Sequence, residues 1–107
     1  MKANELLNLG FTPAVMANGD AEISSVYCCD LLSIVMGKAP AGAAWVTVMG
    51  NINSVAVASL TEVGAIILAD GVKPDENALK KAEENGINIL LSGEPIFDTA
   101  LKIEQAK

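Results

Sequence analysis

Two short apolar runs on either side of a segment with helical character constrain the fold of this chain more than any other feature. Trp45–Val48 and Ile66–Leu68 are β-branched and apolar nearly throughout, which is typical of strands buried on both faces of a parallel sheet. Between them, Asn53 or Ser54 can cap a helix that begins at Val55. Strand, helix and strand in this order predict a right-handed βαβ unit.

Downstream of this unit the chain continues to alternate helix and strand. The pattern predicts a surface helix over Asp75–Asn85 that ends at Gly86, and a buried strand over Ile87–Leu91. Pro95 fits the first position of a closing amphipathic helix. The apolar positions of that helix are Ile96, Phe97, Ala100, Leu101 and Ile103.

The N-terminal third is less regular. Asn4–Leu9 reads as a short helix that ends at Gly10, and Ile23–Cys28 reads as a strand. Thr12–Met16 is predicted to be an edge strand, because proline has no N–H to donate to a central ladder. We therefore predict one α/β domain over residues 1–107, with three layers and a mostly parallel, possibly mixed, sheet.

The segment that follows the second predicted strand has too many apolar faces for an ordinary surface helix. Asp30 is predicted to cap this helix and Gly37 to end it. The helix is either enclosed within the monomer or covered by a partner, and a domain of this size has little interior for enclosure. We favour a dimer interface formed by Leu31, Leu32, Ile34, Val35 and Met36.

The net charge and the hydropathy of the chain restrict the classes of partner. With a formal charge of −6 and no histidine, the chain would repel nucleic acid and anionic membrane surfaces. No window approaches the roughly 18 apolar residues of a membrane span, and Met1–Glu5 is polar, unlike a signal peptide. We expect no nucleic-acid or membrane partner and a cytoplasmic location.

Cys28 and Cys29 are adjacent, and this geometry disfavours a disulfide between them. Two small residues at the end of a strand, one pointing inward and one outward, account for the pair. A thiol-reactive role is the alternative and requires a lowered thiolate pKa.

The loops after the buried strands are where a ligand would bind in an open α/β sheet. Gly50, Asn51 and Asn53 offer a close backbone approach, amide groups and a helix N-terminus that attracts anions. With Ser92 and Gly93 they form the predicted ligand site, which suits a nucleotide or another anion. The alternative is that Gly50 is a turn residue and Asn53 a helix cap, which accounts for both residues without a ligand.

The sequence lacks the common catalytic motifs. It has neither a G-x-x-x-x-G-K-[ST] phosphate loop nor a G-x-G-x-x-G fingerprint, and without histidine it has no Ser–His–Asp or Cys–His nucleophile. The carboxylates and thiols do not show the spacing of metal ligands. We predict no catalytic residue, no metal site and no cofactor, although a cysteine-based enzyme stays open.

From Asp20 to Met36 the chain begins to resemble the DRTGG domain family. Asp20 matches the aspartate of the naming motif and Ala21 replaces its arginine. Ser24 stands for the threonine, while Ser25 and Val26 replace the two glycines. The arginine and both glycines of the motif are therefore absent from this stretch.

The rest of the chain is more similar to the family than this stretch is. The matching segments are Asp30–Ser33, the tryptophan strand at Trp45, Asn53 with Val55–Leu60 after it, Gly64–Leu68, and Pro74 with Asp75. The resemblance implies the fold of the non-catalytic N-terminal domain of HPr kinase/phosphorylase. In larger relatives the domain stands beside CBS domains in a regulated pyrophosphatase or beside a phosphotransacetylase, as a dimerising regulatory unit. Stand-alone relatives accompany iron-only hydrogenase and related redox genes.

Two functions follow as expectations. The first is a non-enzymatic regulatory or interaction module, a homodimer whose protein partner belongs to a hydrogenase or a related redox or metabolic system. The second is a small-molecule sensor that binds a nucleotide or another anion at the strand-end loops.

Overall fold

Five strands form the sheet at the centre of the molecule. The computed structural model describes residues 1–107. The strands are β1 (Thr12–Val15), β2 (Ser25–Cys28), β3 (Ala43–Thr47), β4 (Ala65–Leu68) and β5 (Ile89–Leu91). The helices are a 3-10 helix (Ala3–Leu9), α1 (Leu32–Lys38), α2 (Ile52–Thr61), α3 (Glu76–Asn85) and α4 (Ile96–Ala106).

The strand order is β1-β5-β4-β3-β2, and only β1 runs antiparallel to its neighbour. This confirms the mostly parallel sheet and places the strand that contains Pro13 at an edge, as predicted. The register of β1 shifts between Pro13 and Val15, which is a bulge or irregularity. Every residue of β3 and β4 is buried, as the two apolar runs predict.

Helices cover both faces of the sheet and make the predicted three layers. On one face α1, α2 and α3 pack on side chains that include Trp45, Ile66 and Leu68. On the other face the 3-10 helix and α4 pack on side chains that include Ile67 and Leu90. The confirmed fold is therefore a single α/β domain. No helix combines the length and the apolar character that crossing a membrane requires.

Helix α2 begins earlier than predicted. The side chain of Asn51 accepts hydrogen bonds from the backbone N–H groups of Asn53 at 3.0 Å and Ser54 at 3.2 Å. Asn51 is thus the cap, and the helix starts at Ile52 rather than at Val55. The prediction of Asn53 or Ser54 as the cap is wrong, because both residues lie in the first turn of the helix and donate their backbone N–H groups to Asn51.

The predicted ends of α1 are also wrong. Leu31 occupies the N-cap position, and its apolar side chain makes no capping bond. The carboxylate of Asp30 accepts a hydrogen bond from the Thr47 hydroxyl instead of capping the helix. Gly37 lies inside the helix, which ends at Lys38 with Ala39 as its C-cap. An extended residue at the C-cap ends this helix, so the left-handed conformation that glycine favours is not used.

Two strands begin later than predicted, β1 ends one residue early at Val15, and the first helix is of the 3-10 type. Strand β2 begins at Ser25 rather than Ile23, because the Ile23 N–H donates to the carbonyl of Met1 in a separate contact. Strand β5 begins at Ile89, two residues after the predicted start at Ile87. The N-terminal helix ends at Gly10 in the left-handed conformation, as predicted.

The last helix returns across the sheet. Although α4 follows β5, it packs on β2 and β3 on the face opposite α2. This path brings α4 next to the edge strand β2, on the other side of the sheet from α1.

Candidate functional site

The carboxyl ends of β2, β3, β4 and β5 lie at one edge of the sheet because these strands are parallel. The loops that follow them span residues 29–31, 48–51, 69–75 and 92–95. These four strand-end loops contain all predicted ligand residues except Asn53, which lies in the first turn of α2. They are the first candidate site.

Gly50 is in contact with the neighbouring strand-end loop. Its carbonyl accepts a hydrogen bond from the Asp75 N–H at 3.0 Å. A Cβ atom at Gly50 would lie 3.0 Å from the Lys73 carbonyl oxygen and 3.3 Å from Leu68 Cδ1. The close backbone approach that Gly50 permits is therefore an approach of the chain to itself.

The polar groups at the start of α2 have different roles. The Asn51 side chain is engaged in capping, whereas the Asn53 side chain is exposed and makes no hydrogen bond. The hydroxyl of Ser54 is buried and has no hydrogen-bond partner. Among the three, Asn53 is the side chain that is free to meet a ligand.

A narrow cleft lies beneath these residues. It is lined by Gly50, Asn51 and Ser54 together with seven further residues, which are Met49, Val55, Ile66, Leu68, Pro74, Ala78 and Ile89. The cleft is too narrow to admit a water molecule. A ligand at this place would have to bind over the loops rather than inside the domain.

Ser92 and Gly93 do not line this cleft. The Ser92 hydroxyl is within 2.8 Å of the Thr99 hydroxyl and accepts a hydrogen bond from the Glu94 N–H at 3.1 Å. Gly93 is exposed, and a Cβ atom there would meet nothing within 4 Å. Gly50 and Asn51 therefore lie together at the cleft, whereas the Ser92 hydroxyl is engaged with Thr99 in α4.

The charges of the strand-end loops do not favour an anion. Four acidic residues stand in these loops, Asp30, Asp70, Asp75 and Glu94, and Lys73 is the one basic residue. Asp70 has a positive φ of 56°, and its N–H donates to the Glu94 carbonyl at 2.8 Å. An anionic ligand would meet net repulsion here.

The second candidate site is the outer face of α1. Leu31, Ile34 and Met36 are 58%, 42% and 50% exposed. Leu32 is half-buried against the core, and Val35 is fully buried in it. The prediction is therefore corrected for Val35, whose side chain faces the sheet and is not available to a partner. We call Leu31, Ile34 and Met36 the α1 face.

Sequence reasoning missed a third feature, an open groove between β2 and α4. The groove is about 240 Å³ and is lined by Val26, Cys28, Phe97, Ala100, Leu101 and Glu104. Phe97 is 71% exposed and Leu101 is 40% exposed, whereas Ile103 is buried. The signal was present in the sequence, because Phe97 and Leu101 have the i,i+4 spacing of a stripe that does not include Ile103.

Neither cysteine forms a disulfide. Burial raises the pKa of the Cys28 thiol, and the nearby charge of Asp30 raises it further. A raised pKa keeps the thiol protonated at neutral pH, which makes Cys28 a poor nucleophile. No three His, Cys, Asp or Glu side chains are grouped as metal ligands.

Comparison with known proteins gives a structural neighbour but no curated relative. The chain superposes with a TM-score of 0.73 and 15% identity on the CBS and DRTGG domains of the regulatory region of Clostridium perfringens pyrophosphatase. That structure is complexed with the activator diadenosine tetraphosphate. The alignment covers 96% of this chain and 45% of the neighbour, so this chain spans less than half of its length. No curated protein matches this chain in sequence.

The sequence profile of the DRTGG domain matches residues 30–106. This match begins at Asp30, so the stretch Asp20–Val26, where the naming motif would lie, is outside it. The matched region contains the strands β3, β4 and β5 and all four α-helices. This chain therefore belongs to the DRTGG domain family.

Proposed function

We propose that this protein is a non-enzymatic regulatory module that acts as a homodimer, with the α1 face in the interface. The observation that carries the proposal is the exposure of Leu31, Ile34 and Met36 around the buried Val35. Single exposed apolar side chains are common on protein surfaces. Leu31 and Ile34 are neighbours at i,i+3 spacing, and Met36 flanks the buried Val35 on the other side, so a helix of seven residues and its N-cap present three exposed apolar side chains, a concentration that favours an interaction site.

A regulatory role agrees with the chemistry of the site better than a catalytic role does. The cleft at the strand ends is closed, and the accessible thiol of Cys28 is held in its protonated form. The partner would be an enzyme of a redox or metabolic system, such as a hydrogenase, as the family resemblance implies. Free cysteines suit the reducing cytoplasm, which is the location that we propose.

The oligomeric state of the full chain tests this proposal. Analytical ultracentrifugation over the micromolar range should show a dimer for the parent and a shift toward monomer for Ile34→Glu, which places a charge in the α1 face. Leu7→Glu is the matched control, because Leu7 is 37% exposed and belongs to the helix on the opposite face of the sheet. A parent that stays monomeric throughout this range would contradict the proposal.

A second candidate function is a nucleotide sensor. The structural neighbour includes a DRTGG domain and is complexed with a dinucleotide activator. The predicted ligand residues Gly50, Asn51, Asn53, Ser92 and Gly93 would form the binding surface over the strand-end loops. The acidic character of these loops argues for a cation beside the phosphates or for recognition of the bases.

Thermal-shift measurements with diadenosine tetraphosphate and with adenosine mono-, di- and triphosphates test the sensor function. Binding at a hundredfold over Kd stabilises a protein by about 2.7 kcal/mol, which is a shift of several degrees here. Asn53→Ala is the informative variant, because its exposed side chain makes no intramolecular bond. Asn51→Ala would itself weaken α2, so a reduced melting temperature without ligand is expected for that variant.

A further inference from the structure

The two edges of the sheet are protected to different degrees. At one edge, β1 carries Pro13 and an irregular register, two features that prevent another strand from pairing there. At the other edge, β2 carries neither proline nor a charged residue, and its pairing with β3 is regular over four residues. A bare edge strand is a template for pairing with another chain.

The free part of this edge is short and well defined. The Lys2–Glu22 bridge and the bond from the Ile23 N–H to the Met1 carbonyl cover the chain just before β2. Ser25–Cys28 pairs with β3 alone, so its outer edge has no backbone partner. Only these four residues are available to an added strand.

Both flanks of this free edge are apolar. The α1 face follows β2 directly and lies on one side of the sheet, with Leu31, Ile34 and Met36 exposed. The groove lies on the other side, where α4 exposes Phe97 and Leu101 beside Val26 and Cys28. The acid in the groove, Glu104, has Lys107 at 3.4 Å, so its charge is compensated within the chain.

We propose that β2 pairs antiparallel with β2 of a second copy of this chain, around a two-fold axis that lies between the two strands and is normal to the sheet. The pairing joins the two five-stranded sheets into one, with α1 against α1 on one side and α4 against α4 on the other. This rests on the proposed homodimer and specifies its interface. It adds the groove beside α4 to the α1 face.

A second copy fits this surface better than an extended peptide does. An added strand is about 4.8 Å wide and would satisfy the backbone but leave the exposed side chains of both helices in water. A second copy brings its own α1 and α4 to cover them. A stable dimer buries about 800 Å² per partner, roughly 15% of the 5221 Å² of this chain, which one side of the domain can supply.

The charge distribution points to the same surface. Two chains with a net charge of −6 repel each other over most orientations. The residues of β2 carry no charge, and the groove and the α1 face contain one compensated acid between them. The β2 edge is therefore a surface on which two copies can approach without stacking acidic residues.

The free stretch also sets the register. Directly opposite residues of an antiparallel pair point to the same face of the sheet, so the two-fold axis places one residue opposite its own copy. Centring the pair on Tyr27 keeps Val26 opposite Cys28, both on the α4 side, and keeps the added strand away from the covered chain before β2. The two Cys28 residues are then two positions apart along the paired strands, about 7 Å at about 3.3 Å per residue. Both thiols lie on the α4 side of the sheet.

Cross-linking through Cys28 tests this register. The Cys29→Ser variant of the full chain keeps only Cys28, which is exposed, and a bismaleimide with a span of roughly 10 Å should convert it to a covalent dimer at micromolar concentration. The Cys28→Ser variant, which keeps the half-buried Cys29, is the matched control and should cross-link much less. Equal cross-linking of both variants would contradict the register.

A second variant separates this inference from the proposed function. Phe97→Glu lies across the sheet from the α1 face, and its exposed side chain can be replaced without disturbing the core. We expect it to raise the dimer Kd at least tenfold, the same effect that we expect of Ile34→Glu. The β2 pairing is wrong, and the homodimer stands, if Ile34→Glu dissociates the dimer while Phe97→Glu leaves the dimer Kd unchanged and Cys28 gives no covalent dimer. A monomeric parent overturns both.

Discussion

The carboxylate of Asp30 accepts a hydrogen bond of 2.7 Å from the hydroxyl of the fully buried Thr47. The same oxygen accepts the backbone N–H of Val48 at 3.0 Å. One residue before Asp30, the carbonyl of Cys29 accepts a bond from Trp45 Nε1 at 2.9 Å. These bonds fasten the loop after β2 to the end of β3 and so fix where α1 starts.

We expect Asp30→Ala to lower the free energy of unfolding by about 1–2 kcal/mol, because the Thr47 hydroxyl and the Val48 N–H lose a charged acceptor. Urea denaturation measures this loss. Combining it with Thr47→Val should show a coupling of about 1 kcal/mol. Asp20→Ala is the control and should change stability by less than about 0.5 kcal/mol, because its contact with Lys2 is exposed and 3.7 Å long.

Alanine substitutions at two predicted ligand glycines should give opposite results. Gly50→Ala places a Cβ 3.0 Å from the Lys73 carbonyl oxygen, and we expect it to destabilise the domain by about 1–3 kcal/mol. Gly93→Ala meets no atom within 4 Å and should be neutral or stabilising by up to about 1 kcal/mol. Thermal unfolding of the two variants without ligand compares them. Equal stability would mean that the chain does not need the close approach at Gly50.

The end of α2 is a position at which glycine should stabilise the protein. Glu62 is exposed and caps the helix with φ at 59°, a left-handed conformation that costs about 1–2 kcal/mol for residues with a side chain. We expect Glu62→Gly to raise the free energy of unfolding by about 0.5–1 kcal/mol. Glu83→Gly, inside α3, is the matched control and should lower it by about 1 kcal/mol.

Asn88 connects β5 to two distant turns. Its buried side chain donates to the carbonyls of Asn18 at 2.7 Å and Gly64 at 3.0 Å, and accepts from the Asn18 N–H at 2.8 Å. Asn88→Ala should lower the free energy of unfolding by about 2–4 kcal/mol, since it leaves these groups without partners. Asn85→Ala, on an exposed position of α3, should change it by less than about 0.5 kcal/mol in the same denaturation experiment.

The reactivity of Cys28 should depend on pH in a defined way. Its pKa is raised by burial and by Asp30, so in Cys29→Ser the rate of iodoacetamide labelling should stay below that of the unfolded chain at neutral pH. The rate should continue to rise with pH after the unfolded chain has reached its plateau. Folding favours the protonated thiol, so this contribution to stability is lost as pH rises through the raised pKa. Labelling at or above the unfolded rate at neutral pH would instead indicate an activated thiol.

Most of the fold follows from local patterns in the sequence. The runs at Trp45–Val48 and Ile66–Leu68 are typical of strands enclosed on both faces, and Pro13 favours an edge position for its strand. The helix boundaries were less accurate, because a cap is chosen by bonds that depend on distant residues. Asp30 has the chemistry of a cap, yet Thr47 binds its carboxylate instead.

The candidate sites depend more on the tertiary structure. A glycine at position 50 is compatible with a close approach to a ligand and with a close approach to Lys73. Only the packing of the two loops shows that Lys73 is the neighbour. Likewise, the five apolar residues between Leu31 and Met36 do not reveal that Val35 alone is fully buried. The groove beside β2 exists because α4 crosses the sheet, a path that no local pattern encodes.

The sequence by itself determined the alternation of strands and helices, because the periodicity of apolar side chains is set by residues close together in the chain. The tertiary structure alone decided which helix covers which face and which edge strand stays bare. Those outcomes depend on how whole helices and strands pack against one another, and the contacts that decide the packing are between residues far apart in the sequence.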